Sequence, residues 1–123
     1  GMPYVGWKLP DADRNRLLAR FAPAYPTVRA HHVTLAFGVG RGHPLPKETA
    51  GRVVGIADDG AGVQALVVEI AGTTRRPDGS TYHVTWSLGA GRAAKESNAV
   101  IAARGWTPVD PADIRLEPRF FPS

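Results

Sequence analysis

The tripeptide His-Val-Thr occurs twice in the sequence, at His32–Thr34 and at His83–Thr85. Each copy lies in a stretch that alternates apolar and polar residues, 31–37 and 82–88, which is the period of a β-strand. Residues i and i+2 of a strand project from the same face, about 6.6 Å apart, so each copy presents an imidazole beside a hydroxyl. A fold in which both strands face one cleft would bring two such pairs together.

The rest of the chain predicts further strands, frequent turns and two short helices. Gly (14) and Pro (11) are abundant among the 123 residues, which favours turns over long helices. A hairpin is predicted around the turn Asp58–Gly62, and the Pro-containing stretch 24–29 is predicted as a loop. The other predicted strands span 4–9 and 114–121, and the predicted helices lie between Asp11 and Pro23 and between Lys95 and Ala103. This mixture predicts an α+β fold with antiparallel sheets.

Two imidazoles and two hydroxyls in one cleft have the chemistry needed to cleave a phosphodiester without a metal. One imidazole would take a proton from the attacking oxygen, and the other would give a proton to the leaving oxygen. Thr34 and Thr85 would donate hydrogen bonds to the phosphate oxygens on which charge develops. A single His-x-Thr is more often a packing feature of a strand. The matched pair favours the catalytic interpretation, with His32 and His83 as acid and base in either order.

The paired motifs resemble those of the two-histidine (2H) phosphoesterase superfamily, whose hallmark is two His-x-Thr/Ser motifs in a bilobed α+β fold. The resemblance is greatest to the cyclic phosphodiesterase domain of fungal-type tRNA ligases and its small stand-alone relatives. It is carried by the stretches His31–Gly38, Ala65–Glu69, Tyr82–Leu88 and Lys95–Asn98. It implies a single domain over residues 1–123, compact and bilobed, with one motif strand in each lobe facing a shared cleft.

The same resemblance implies hydrolysis of a 2′,3′-cyclic phosphate, at an RNA 3′ end or on a small cyclic nucleotide. His32 and His83 would be the acid/base pair, Thr34 and Thr85 would contact the phosphate, and no cofactor would be needed. Two other functions fit the scaffold. One is a non-catalytic module that binds an RNA end or a nucleotide, and the other is an enzyme acting on an ADP-ribose cyclic phosphate or a 2′,5′ linkage.

Basic residues supply further candidates for phosphate binding. Lys and Arg number 15 against 11 Asp and Glu, a net charge of +4, which modestly favours a polyanionic partner. Lys95, Ser97 and Asn98 lie where a loop is predicted to enter a helix, whose free N–H groups attract anions. An ordinary N-cap at Ser97 explains that junction equally well. Arg75 and Arg76 precede the second motif and are candidates to steer RNA, although paired arginines in a turn are more often solvated.

The other two histidines are not predicted to act in catalysis. Strand alternation places His31 on the face opposite His32, where it is expected to pack or to lie at the surface, and His43 lies in a predicted loop. No His or carboxylate stands at a familiar metal-ligand spacing, and the chain has no Cys, so no metal site is predicted. Tyr4 alternates with apolar residues in its strand and is predicted to pack in the core rather than to stack on a base.

Neither a membrane span nor a secretion signal is predicted from the sequence. No apolar run approaches the length of a membrane-spanning helix, and the N-terminus lacks the pattern of a signal peptide. A cytoplasmic location without an obligate protein partner is therefore expected. Gly1 ahead of Met2 is interpreted as a residue left by removal of a tag.

Overall fold

The computed structural model describes residues 2–123, which form an α+β fold of two antiparallel sheets, two α-helices and one 3₁₀ turn. This confirms the predicted fold class. The interpretation of Gly1 as a tag remnant lies outside the described residues. In chain order the elements are β1 (Tyr4–Lys8), α1 (Asp11–Arg20), β2 (Thr27–Val28), β3 (His32–Phe37), β4 (Ala50–Asp58), β5 (Val63–Glu69), β6 (His83–Leu88), the 3₁₀ turn (Ala94–Glu96), α2 (Ser97–Arg104), β7 (Thr107–Arg115) and β8 (Glu117–Phe121).

The smaller sheet has three strands in the order β3-β1-β8. Its central strand, β1, pairs antiparallel with both neighbours. Val5 and Trp7 of β1 and Val33 of β3 are buried in the core. Because successive side chains of a strand point to opposite faces, His32 and Thr34 lie on the face of β3 away from Val33. The first His-Val-Thr copy is therefore carried by an edge strand.

The larger sheet has five strands in the order β2-β6-β5-β4-β7. The predicted hairpin is confirmed as β4 and β5, which pair antiparallel with Ile56 opposite Leu66. The middle strand, β5, is buried from Val63 to Val68, as its nearly continuous apolar sequence requires. The second His-Val-Thr copy lies in β6, between β2 and β5. It is therefore carried by an interior strand.

Two buried tryptophans anchor the core between the sheets. Trp7 of the smaller sheet and Trp86 of the larger sheet belong to one cluster of buried apolar side chains. Each indole N–H donates to a main-chain carbonyl, that of Trp7 to Glu48 at 2.9 Å and that of Trp86 to Phe21 at 2.8 Å. Since a buried indole N–H without a partner would cost free energy, these bonds allow both rings to stay in the core. The shared core holds the two motif strands beside each other.

The chain passes from the larger sheet to the smaller one at Ala30. The N–H groups of Arg29 and Ala30 donate to the carbonyls of Trp86 and Thr85 at 2.9 and 3.0 Å, and the carbonyl of the next residue, His31, accepts from the smaller sheet. Ala30 is fully buried and has a φ of +49°, a left-handed conformation that costs energy for a residue with a Cβ. The loop predicted for 24–29 thus contains strand β2, and β3 begins at His32 rather than at His31.

Close approach of β1 and β3 requires glycine at position 6. A Cβ at Gly6 would lie 2.1 Å from the carbonyl oxygen of Val33, whereas one at Gly40 would meet no other described atom within 4 Å. We expect Gly6→Ala to lower the free energy of unfolding by about 1–3 kcal/mol because the strands must separate. Chemical denaturation measures this loss, and Gly40→Ala is the matched control, expected to keep wild-type stability. Equal stability of the two variants would contradict the prediction.

Candidate active site

A pocket of about 290 Å³ opens where β3 of the smaller sheet lies beside β6 of the larger sheet. We call it the histidine pocket, and it is lined by Tyr4, Arg29, His31, His32, Thr85 and Ala94. It takes His32 from the first His-Val-Thr copy and Thr85 from the second. The other two motif residues, Thr34 and His83, lie outside this lining as drawn from residues 2–123. The structure therefore brings one residue of each motif to a common pocket.

Aromatic rings surround the half-buried side chain of His32. The ring centroids of Tyr4 and Phe121 lie 4.9 and 5.3 Å from that of His32. Tyr4 and Phe121 are register partners on β1 and β8 and stack on each other with their centroids 4.6 Å apart. His32 also makes a polar contact with His31, whose Nδ1 lies 3.1 Å from Nδ1 of His32. His32 is thus held by two rings and one nitrogen–nitrogen contact.

The surroundings of His32 favour its uncharged form. Its pKa is lowered to about 4, chiefly because burial disfavours the charged imidazolium. Positive charge on His31, His83 and Arg29 lowers this pKa as well. The strands that carry the two motif imidazoles, β3 and β6, lie beside each other.

His83 differs from His32 because it bonds to the main chain. Its Nδ1 lies 2.8 Å from the carbonyl oxygen of Thr81, and a carbonyl accepts only from a protonated nitrogen. The neutral ring therefore keeps its lone pair on Nε2. Burial lowers the pKa of His83 and Arg76 lowers it as well, while the Thr81 carbonyl and Asp78 act in the opposite direction.

Thr85 is bonded to Ser97, the first residue of α2. The two hydroxyl oxygens lie 2.8 Å apart, and the Thr85 hydroxyl also reaches the carbonyl of Ala94 at 3.3 Å. Ser97 is fully buried, and the N-cap of α2 is Glu96. The interpretation of Ser97 as an N-cap is therefore wrong, and its hydroxyl instead faces the second motif.

An ion-pair cluster holds the segment that carries Ala94 and Ser97. The guanidinium of Arg92 contacts Asp59 at 2.8 Å and Glu96 at 3.0 Å. The second carboxylate oxygen of Glu96 accepts from the N–H of Ala93 at 2.7 Å. These contacts tie the 3₁₀ turn to the β4–β5 turn of the larger sheet, so one wall of the histidine pocket is fixed to that sheet.

The remaining predicted phosphate-binding residues lie away from the pocket lining. Lys95 and Arg75 are exposed, and Asn98 is half-buried, with an Oδ1 that is buried without a hydrogen-bond partner among residues 2–123. Arg76 is buried and pairs with Asp78 at 2.8 Å, a contact that holds the pKa of the Asp78 carboxyl well below its usual range. Of the two arginines, Arg75 is the one that presents its side chain to solvent.

Three residues that line the histidine pocket were not predicted to lie there: His31, Tyr4 and Arg29. His31 was expected on the face opposite His32, but its ring lies beside that of His32 because the chain turns at Ala30 and the strand begins one residue later. Tyr4 was expected in the core, and it is half-buried with its ring against His32. Arg29 lines the pocket because its main chain pairs with Trp86, a contact that local sequence does not predict.

Comparisons with known proteins give no relative from which the function of the site could be inferred. No family model, curated protein or solved structure matches the chain. Among residues 2–123, no group of three or more His, Cys, Asp or Glu side chains is arranged to hold a metal ion, and no helix is long and apolar enough to cross a membrane. The pocket offers imidazole nitrogens, a hydroxyl and the charge of Arg29, which are groups suited to a phosphate.

The lowered pKa of His32 predicts that the protein loses stability on acidification. An unfolded histidine takes up a proton near pH 6.5, whereas His32 in the folded chain resists it until about pH 4. The free energy of unfolding should therefore fall between pH 6.5 and 4, by at most about 1.4 kcal/mol per pH unit for this group. In His32→Gln this slope should be shallower, as measured by urea denaturation across that range. An unchanged slope in the variant would contradict the prediction.

Proposed function

We propose that the chain is a phosphoesterase that hydrolyses 2′,3′-cyclic phosphates, at RNA 3′ ends or on small cyclic nucleotides, without a metal. The observation that carries this proposal is the histidine pocket, in which His32 of one sheet and Thr85 of the other meet. A second imidazole, His83, is carried by β6, the strand that lies beside β3. Two imidazoles can provide the acid and the base that ester hydrolysis needs.

His83 is the base in this proposal. Its bond to the Thr81 carbonyl leaves Nε2 of the neutral ring as a proton acceptor, and its lowered pKa keeps the ring neutral near pH 7. As the oxygen of a water molecule bonds to phosphorus, its proton passes to Nε2 of His83. The bond from phosphorus to one ribose oxygen breaks, and that oxygen takes a proton from His32. The product is a ribose phosphomonoester.

The phosphate would be held by hydroxyl and guanidinium groups. If the buried Ser97 hydroxyl donates to Thr85 across their 2.8 Å contact, the single proton of the Thr85 hydroxyl can turn from the Ala94 carbonyl, 3.3 Å away, to a phosphate oxygen. Thr34 follows His32 on the same side of β3, and Arg29 adds positive charge in the pocket lining. A bound anion also favours protonation of His32, because a nearby negative charge raises the pKa of an imidazole.

The charge and size of the pocket support a nucleotide or an RNA end as the partner. The chain carries a net charge of +4, and the exposed Arg75 precedes the second motif, which favours a polyanionic partner. The pocket volume of about 290 Å³ is at the lower end for ligand sites. It suits the phosphate and ribose of one nucleotide rather than a run of bases.

The proposal predicts loss of turnover when either motif imidazole is removed. The substrates are the nucleoside 2′,3′-cyclic monophosphates and a short RNA that ends in a cyclic phosphate, assayed in EDTA. We expect wild-type turnover with a bell-shaped pH dependence, and a decrease in kcat of about 10²- to 10⁴-fold in His32→Ala and in His83→Ala. His43→Ala is the matched control, because His43 is an exposed loop histidine and should keep wild-type activity.

Other results of this assay would assign a different function. Full activity in either motif variant, with circular dichroism showing native folding, would refute the acid/base pair. Salt-sensitive binding of these ligands without turnover would indicate the non-catalytic binding module. Turnover confined to an ADP-ribose cyclic phosphate or to a 2′,5′-linked dinucleotide, added to the same panel, would reassign the substrate on the same scaffold.

The bond between Ser97 and Thr85 gives a second prediction. We expect Ser97→Ala to lower kcat by about tenfold, because Thr85 loses the donor that directs its hydroxyl toward phosphate. Thr85→Val, which keeps the shape and removes the hydroxyl, should cost more. In the double variant the loss should equal that of Thr85→Val alone, since Ser97 acts through Thr85. Additive losses in this double-mutant cycle would show that Ser97 acts independently.

A further inference from the structure

His31 makes a contact that the acid/base chemistry described above does not use. Its Nδ1 lies 3.1 Å from Nδ1 of His32, and the two rings meet edge to face with an interplanar angle of 78°. Two imidazole nitrogens at this distance form a hydrogen bond only when one of them carries a proton. His31 is exposed, whereas His32 is half-buried. The contact therefore links the site to a ring that water can reach.

Charged groups from the surrounding elements oppose a second positive charge on this pair. Burial is the largest cause that lowers the pKa of each ring. Positive charge on Lys8 of β1, Arg14 of α1 and Arg119 of β8 lowers the pKa of His31 further. Positive charge on His31, His83 of β6 and Arg29 lowers that of His32. The rings of Tyr4 and Phe121 cover the remaining sides. The same cations disfavour a bound metal ion between the two nitrogens. These surroundings disfavour charge on either ring, so the pair holds at most one extra proton near neutral pH.

We propose that His31 is the proton partner of His32, a positioning residue that shares one proton with it and supplies the proton given to the leaving oxygen. This inference rests on the proposed function. In the charged pair, His31 donates its Nδ1–H to Nδ1 of neutral His32, whose own proton is then on Nε2. When the ribose oxygen takes the Nε2 proton, the proton of His31 moves to Nδ1 of His32. His31 becomes neutral and regains a proton from water.

The arrangement accounts for how a largely buried imidazole serves as an acid at neutral pH. Burial is the chief cause that lowers the pKa of His32 to about 4, and a neutral imidazole is a poor proton donor. With its partner, the charge resides on the exposed ring, where water solvates it. Before the reaction, His32 then carries the proton on its Nε2 while its ring stays neutral, and the positive charge is on His31.

Activity of His31 variants tests this inference. We expect His31→Phe, which keeps a ring against Phe121, to lower kcat about tenfold or more with little change in KM. The alkaline limb of the pH profile should move to lower pH, because the charge must then reside on the half-buried ring of His32, whose pKa is lowered chiefly by burial. His31→Gln can donate a hydrogen bond but cannot carry the proton, so it should show the same loss. His43→Phe is the matched control and should match the wild type.

Ring nitrogen resonances separate this inference from the proposed function. In ¹⁵N NMR titrations of the free protein, the Nδ1 atoms of His31 and His32 should respond over one common pH range. Replacing His32 by Phe should shift the titration of His31. Independent titration of the two rings, or wild-type kcat and pH profile in both His31 variants, would overturn the inference. If the protein turns over no cyclic phosphate, a coupled titration still establishes the shared proton, while the proposed function fails.

Discussion

The pairing of residues 29 and 30 with β6 is the contact on which the candidate site depends. The carbonyls of Thr85 and Trp86 accept from Ala30 and Arg29, so the second motif strand itself holds the segment that leads into the first. Two residues beyond Ala30 the chain is already in β3 of the other sheet. His32 is therefore positioned by the main chain of the strand that carries Thr85. The buried left-handed Ala30 makes this short connection possible at a cost in backbone energy.

Identical tripeptides acquire different chemistry in the two strands. His83 bonds to a carbonyl of its own chain segment, which defines its tautomer, while His32 bonds to another imidazole that can gain or lose a proton. Burial lowers the pKa of both, but only His32 has a partner that can be charged in its place. The proposed division of labour between acid and base thus follows from the neighbours of each ring, and not from the motif.

Local patterns in the sequence predicted the elements well and the side-chain contacts less well. Strands β1, β3 and β6, the β4–β5 hairpin and the two helices follow from apolar periodicity and turn residues, which act over a few positions, whereas β2 and most of β7 were not predicted. The position of His31 depends on the left-handed Ala30, whose backbone energy is offset by packing with residues distant in sequence. The contact between Ser97 and Thr85 joins residues 12 positions apart. Such contacts come from tertiary structure, which periodicity does not describe.

The two halves of the site are carried by backbone of unequal stiffness. β3 is an edge strand of a three-stranded sheet, whereas β6 is paired on both sides within five strands and the neighbouring 3₁₀ turn is held by Arg92. Edge strands open more readily than interior strands because fewer hydrogen bonds must break. If ligands of different length or shape bind, we therefore expect β3, with His31 and His32, to be the part of the site that moves. In the proposed function, the Thr85 side would be the fixed reference against which a phosphate is aligned.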